Sequence, residues 1–237
     1  MSPYYNSNES NVSKTDLNIV LDIDATLVNT QGQYSYLTTL GIFENPRLLE
    51  LRSRTYNLEL LDYSGRLIRG SGMRYNFWGT ERNHLHDFLK FCNAYFKNVV
   101  IWSAGTRMYV EAVIKHIYRK IDKKPVLILA QENCVISSGF YTKPLENVYK
   151  IIPDMNEKNT FVLDDTRSTF MYVNPDNAIH CPPYEPPPQI EKLTEEDNTL
   201  NELYGWLMKP EVWNSRDVRL LDKTRIFSRP VRPDRKL

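Results

Sequence analysis

Cysteine is scarce: Cys92, Cys134 and Cys181 are the only three in 237 residues. Odd in number and widely spaced, they form no CxxC pair and give no disulfide framework, which suits a reducing compartment. None has arginine six positions further on, which excludes a cysteine nucleophile of the Cys-x5-Arg type. Long apolar runs are missing too. No stretch approaches the roughly twenty apolar residues of a membrane span, and residues 1–16 are polar, without the apolar core of a signal peptide. These absences predict an intracellular protein, of the nucleus or cytoplasm, with no membrane partner. Net charge is also nearly absent. The 30 Lys and Arg against 29 Asp and Glu leave +1, which argues against a protein-wide electrostatic grip on nucleic acid or membrane. There is no internal repeat.

What is present fits one soluble α/β domain. With 41% hydrophobic and 25% charged residues the chain has material for a sizeable core, and its length allows a single domain with insertions. Residues 1–16, rich in Ser and Asn, read as a disordered leader. The apolar runs at 17–21, 98–104, 126–130 and 160–163 read as buried strands of a mostly parallel sheet. Between them lie helical stripes. Leu85, Phe88, Leu89, Cys92, Tyr95 and Phe96 form one, with Asn83 as its cap. Tyr109, Ala112, Val113, His116 and Ile117 form a second, and Leu145, Val148, Tyr149 and Ile152 a third, with Pro144 at its first position. His84 and His86 have no third ligand in reach and read as structural or solvated.

Residues 56–61 and Leu67-Ile68 flank the turn signal DYSG at 62–65, which predicts a β-hairpin flap within an insertion spanning about 30–80. Tyr36, Tyr56, Tyr63 and Tyr75 in this region are read first as packing residues. The proline-rich CPPYEPPP at 181–188 predicts an extended connection. A final helix, with Asp197 as cap, turns Leu200, Leu203, Tyr204, Leu207 and Met208 inward. The domain is therefore expected over 17–208, followed by a flexible basic tail over 209–237. The last fifteen residues carry six basic groups against one aspartate, and imply either an acidic partner or a merely solvated segment.

The chemistry gathers where apolar strands run into polar residues. At 18–30, NIVLDIDATLVNT, the first strand stops at Asp22 and Asp24. A buried carboxylate is costly unless it is paired, hydrogen-bonded or holding a cation. If the strand continues through Ile23 the two side chains share a face. If it ends before, one side chain and the neighbouring carbonyl turn to one point. Either arrangement is a hard oxygen site suited to Mg²⁺, and an ionised aspartate is also a nucleophile for phosphorus. An isolated pair of this kind is often only a polar turn. The pattern recurs, however: the second strand ends in Ser103, Gly105 and Thr106, the last in Asp164-Asp165-Thr166, and Lys143 stands just before a predicted helix. In an open parallel sheet these strand ends describe one cleft.

These stations, in this order, resemble the haloacid dehalogenase superfamily of aspartate-dependent phosphohydrolases. More narrowly they are similar to its RNA polymerase II C-terminal-domain phosphatase branch, which includes the small CTD phosphatases and the NLI-interacting-factor-like proteins. The resemblance rests on DIDATL at 22–27, RNHLHDFL at 82–89, IWSAGT at 101–106, ENCVISSGFYTKPL at 132–145, VLDDT at 162–166 and NPDNAI at 174–179. It implies a Rossmann-like, mostly parallel sheet with helices on both faces and a small hairpin flap.

It further implies Asp22 as nucleophile and Mg²⁺ ligand. Asp24 would be the general acid and then the base, lending its backbone carbonyl to the metal. Ser103 and Lys143 would bind the phosphoryl group, Asp165 would be the remaining ligand, and Asp164 would support the site. The implied activity is a Mg²⁺-dependent protein serine/threonine phosphatase, with a phosphorylated protein such as the polymerase II C-terminal domain as partner. The alternatives are a superfamily phosphomonoesterase for a nucleotide, sugar or nucleic-acid end, and a phosphatase-fold binding module that has lost turnover. The chain departs from the family pattern at Ala25, where glutamate is usual, at Ser103, where threonine is usual, and at Pro144, where aspartate is usual. Basic residues are also missing at Ser137 and Ser138. Ser103 keeps the hydroxyl, whereas Pro144 and the two serines bear on substrate preference.

Overall fold

The computed structural model describes residues 14–32, 34–61, 72–137 and 139–231. The predicted leader up to residue 13 lies outside them, as do Ser138 and the DYSG turn with Leu67 and Ile68. In chain order the elements are β1 (Asn18–Leu21), β2 (Val28–Gln31), α1 (Tyr34–Thr39), α2 (Leu49–Arg54), β3 (Thr55–Leu61), β4 (Arg74–Glu81), α3 (Leu85–Tyr95), β5 (Asn98–Trp102) and α4 (Arg107–Ile117). They continue with β6 (Leu127–Leu129), β7 (Val135–Ser137), β8 (Phe140–Thr142), α5 (Glu146–Tyr149), β9 (Thr160–Asp164), β10 (Ala178–His180), α6 (Ile190–Leu193), α7 (Thr199–Leu207) and α8 (Pro210–Trp213).

A five-stranded parallel sheet of order β10-β9-β1-β5-β6 forms the centre. β1 is its middle strand, and all four of its residues are buried. That is why its sequence is an unbroken apolar run after Asn18 rather than an alternating one. Side chains alternate between two cores. Ile19, Leu21, Val99, Ile101, Phe161 and Leu163 pack against α3, α4 and α7, whereas Val20, Val100, Trp102 and Val162 pack against Leu145, Val148 and Phe170. Helices therefore cover both faces, and the polar ends of β1, β5 and β9 open on one edge.

The insertion is an antiparallel sheet of order β2-β4-β3, in which Thr55 pairs with Thr80 and Leu61 with Arg74. The observed partner of β3 is thus residues 74–81. Its sequence, RYNFWGTE, is exposed at one end and buried at the other, so it carries no alternating signal. β7 and β8 form a separate hairpin.

Three local expectations are corrected. Asn83 does not cap α3: His84 precedes the helix in a left-handed conformation (φ 65°), without a side-chain cap. The helix after Pro144 is a single turn, although Leu145 and Val148 do point inward. Residues 211–231 do not hang free. Val212, Val218 and Ile226 are buried in the main core, and Lys223 Nζ donates to the carbonyls of Val218 at 2.6 Å and Asp176 at 2.9 Å. Asp197 accepts from Thr199 N at 3.0 Å as expected near a helix start, but its larger task is to meet Arg82. Among the described residues no helix is long and apolar enough to cross a membrane.

Candidate active site

β1 ends at Leu21, and the chain turns immediately. Asp22 N still donates to Leu163 O on β9, while Leu27 N and Val28 N both fold back onto Ile23 O. Ala25 adopts a left-handed conformation (φ 56°), which costs a non-glycine residue roughly 1–2 kcal/mol and so must be imposed by its surroundings. Those surroundings are visible: Ala25 N donates to Val28 O, and Ala25 O accepts from Tyr184 N. Behind the turn lies Arg82, fully buried. It donates to Thr26 O and Pro182 O, to Thr199 Oγ1, and through two nitrogens to Asp197. Thr26 Oγ1 in turn accepts from Asp165 N at 3.2 Å. Arg82 therefore ties the loop of the first aspartates to Pro182 and the start of α7, and Thr26 ties it to the loop of the last.

On the cleft side, Lys143 is 2% exposed. Its ammonium donates to Asp22 Oδ1 at 2.5 Å and to Asp164 Oδ2 at 2.7 Å. Asp164 Oδ2 also accepts from Thr169 Oγ1 at 2.8 Å, and Oδ1 accepts from Thr166 N at 2.8 Å. Both of its oxygens are thereby engaged. Burial works against the lysine's charge, but Asp164 and Asp22 outweigh it and hold the ammonium protonated. Asp22 is pushed well up, first by burial and then by Asp164 and Asp165, against the pull of Lys143.

One carboxylate oxygen from each of Asp22, Asp164 and Asp165 falls within 4.8 Å of the others. Three buried carboxylates with one lysine among them leave an excess of negative charge. The donors are all oxygens, as a hard divalent cation such as Mg²⁺ requires. The residues therefore fit the ion. Asp164 has both oxygens engaged, by Lys143, Thr166 and Thr169, whereas Asp22 meets Lys143 through Oδ1.

Ser103 follows β5, buried, and its Oγ accepts from Gly105 N at 3.0 Å and donates to Asp24 Oδ2 at 3.4 Å. Asp24 Oδ1 accepts from the Tyr109 hydroxyl. Burial raises the Asp24 carboxyl, with Tyr109, Ser103 and Lys143 opposing. All six residues singled out in the sequence, Asp22, Asp24, Ser103, Lys143, Asp164 and Asp165, line one open cleft of about 380 Å³, with Phe140 and Tyr141 of β8 at its side. Sequence reasoning missed Tyr109 and Thr169, and named Thr166 at the strand end without a role. Periodicity places Tyr109 on a core stripe, and only its position in the first turn of the helix after Ser103 hints otherwise.

Residues 17–219 match the family described as NLI interacting factor-like phosphatase. The chain belongs to that family. No curated protein sequence matches it significantly. Among solved structures, the fold of this NLI interacting factor-like phosphatase is similar to that of fission yeast RNA polymerase II CTD phosphatase Fcp1-R271A bound to beryllium fluoride. The TM-score is 0.57 at 20% identity, over 71% of this chain and 42% of that one. A second structure, of Fcp1 described as an essential RNA polymerase II CTD phosphatase, matches with a TM-score of 0.56 at 18% identity, over 87% of this chain and 58% of that one. At such identities the likeness establishes the fold: a mostly parallel α/β sheet of the haloacid dehalogenase type with added antiparallel sheets. The chain spans about half the length of these relatives.

Proposed function

We propose that the chain is a Mg²⁺-dependent protein serine/threonine phosphatase that works through an aspartyl phosphate on Asp22. What carries this is the seat of Lys143 between Asp22 and Asp164 at the carboxyl ends of adjacent strands, with Asp165 beside them. Asp22, Asp165 and the backbone carbonyl of Asp24 would hold the cation. Bound Mg²⁺ would offset the repulsion between carboxylate and phosphate and the charge growing on the equatorial oxygens. Asp22 attacks phosphorus, Asp24 gives its proton to the departing serine or threonine oxygen, and the P–O bond to that oxygen breaks. Asp24, now a carboxylate, takes a proton from the water that attacks the phosphorus of the acyl phosphate, which restores Asp22 and releases phosphate. Ser103 and Lys143 donate to the transferring group. Because Asp164 already fixes the lysine, little reorganisation is required at that moment.

The substrate we propose is phosphoserine or phosphothreonine in an extended protein segment, the polymerase II C-terminal domain being the example that the similar structures suggest. Among the described residues, the stretch from Ser103 to Lys143 forms α4, β6 and the β7-β8 hairpin, which leaves no cap domain over the cleft. A small ester would be held almost wholly by its phosphate, whereas a peptide adds binding energy along the open groove. The three free cysteines fit an intracellular setting, nucleus or cytoplasm. The basic tail would add a salt-sensitive contact with an acidic partner. With Mg²⁺, kcat/KM for a phosphoserine peptide should exceed that for free phosphoserine by at least about tenfold, roughly 1.4 kcal/mol of transition-state binding. Efficient hydrolysis of a small metabolite without gain from the peptide would favour a small-molecule phosphomonoesterase. No turnover of any ester would favour a binding module.

A further inference from the structure

We infer that Tyr109, held by Thr30 and Tyr56, is a positioning residue that fixes which oxygen of Asp24 faces the leaving group. This rests on the role proposed above for Asp24 as proton donor. The Tyr109 hydroxyl donates to Asp24 Oδ1, while Oδ2 lies on the Ser103 side of the cleft, 3.4 Å from Ser103 Oγ. With Oδ1 occupied, rotation about the Asp24 Cβ–Cγ bond is stopped, and Oδ2 is left as the oxygen that carries the transferable proton.

The tyrosine is itself held in place. Thr30 Oγ1 lies 2.6 Å from Tyr109 Oη and 2.5 Å from Tyr56 Oη. When Tyr109 donates to Asp24, its oxygen accepts from Thr30 and the oxygen of Thr30 accepts from Tyr56, so three hydroxyl protons point one after another towards the carboxyl. The rings are seated by two glycines. A Cβ on Gly105 would stand 2.7 Å from Tyr109 Cδ1, and one on Gly79 would stand 2.6 Å from Tyr56 Oη and 2.3 Å from Asn29 O. Larger residues at either position would push a ring or a strand out of place. Thr30 is on β2, Tyr56 on β3 and Tyr109 on α4, so the chain of hydroxyls ties the insertion sheet to the acid. Proton transfer depends steeply on the position of the donor oxygen, which gives the insertion a part in the chemistry besides any part in binding.

The test uses the leaving group. In the proposed step the proton moves from Asp24 Oδ2 to the ester oxygen as that oxygen leaves phosphorus for an alcohol. A basic alkoxide needs the proton, whereas 2,4-dinitrophenolate leaves without it. kcat/KM reports the reaction only through formation of the aspartyl phosphate, so the later base step does not enter. For the full chain with Mg²⁺, Tyr109→Phe should lose at least about tenfold more kcat/KM on a phosphoserine peptide than on 2,4-dinitrophenyl phosphate, consistent with the usual size of general-acid effects. Thr30→Val leaves both rings in place and should err in the same direction by less, so it carries the same test should Tyr109→Phe fold poorly. Asp24→Asn should show the largest bias.

Equal losses on the two esters, or none, in Tyr109→Phe and Thr30→Val beside a biased Asp24→Asn would overturn the inference alone. An unbiased Asp24→Asn, or a wild type inert to every ester, would overturn the proposed function and the inference with it.

Discussion

Lys143 lies between two carboxylates, and its shorter contact, 2.5 Å, is with Asp22 rather than with Asp164. A side chain 2% exposed with two anionic partners is no solvated surface lysine. Removing it takes away the proposed donor for the phosphoryl group and leaves buried carboxylates uncompensated. Lys143→Ala should lower kcat/KM by about 10²- to 10³-fold and lower the melting temperature, with part of the stability returned by Mg²⁺. Lys143→Arg should keep partial activity. Equal turnover and equal melting in all three proteins would remove the lysine from the site.

Glu81 predicts an acid-dependent loss of stability. It is buried at the end of β4 and meets His116 at 2.9 Å, His86 at 3.0 Å and Arg119. Burial alone would raise its carboxyl, but the hydrogen bonds from His116, His86 and Arg119 prevail and bring it down from an ordinary 4.5 to about 2. A carboxyl lower in the folded than in the unfolded state stabilises fully above about pH 4.5 and loses that contribution as the pH falls towards 2. The amount is on the order of 3 kcal/mol. Denaturant titrations of wild type and Glu81→Gln should differ at pH 6 and converge near pH 2, and a constant difference across that range would contradict the assignment.

Arg82 should matter to folding rather than to chemistry. It is fully buried against Asp197 and holds the loop behind Asp22 through Thr26 O. Among the described residues, Arg82→Met leaves Asp197 with the more exposed Arg229 as its cationic partner beside the Thr199 amide, and breaking one side of such a buried pair typically costs about 3–5 kcal/mol. Urea unfolding should show a loss of that size. A loss below about 1 kcal/mol would mean that the network can do without the guanidinium.

The tail makes a parallel case. Ile226 is 7% exposed within the main core, so Ile226→Ala should cost about 2–4 kcal/mol, and deletion of residues 223–237 at least as much. Unchanged melting of the truncated chain would return the tail to a solvated appendage.

Much of the architecture could be read in advance because β1, β5 and β9 are buried on both faces and so appear as plain apolar runs. Asp22, Ser103, Asp164 and Asp165 sit where those runs meet polar residues, and Lys143 sits at the edge of a β-strand before a proline. Tyr109 was not legible in this way. Helical periodicity places it on the inward stripe of α4, and spacing alone cannot report that a first-turn side chain reaches back to Asp24 and across to Thr30. β4 escaped because its burial shifts from end to end. The folded tail escaped because a few separated side chains, Val212, Val218 and Ile226, hold it while its charges dominate the composition. The left-handed residues Ala25 and His84 carry no sequence signal, the conformation of Ala25 being set by its hydrogen bonds with Val28 and Tyr184.

In the proposed mechanism Asp22 becomes phosphorylated. An aspartyl phosphate is reduced by borohydride to homoserine, so the active protein should be mixed with a phosphoserine peptide and Mg²⁺, quenched into borohydride, digested and analysed by mass spectrometry. Homoserine should appear at position 22, only when substrate and Mg²⁺ are both present, and not in Asp22→Asn. Steady turnover with no change at residue 22, or with homoserine at another aspartate, would contradict the account.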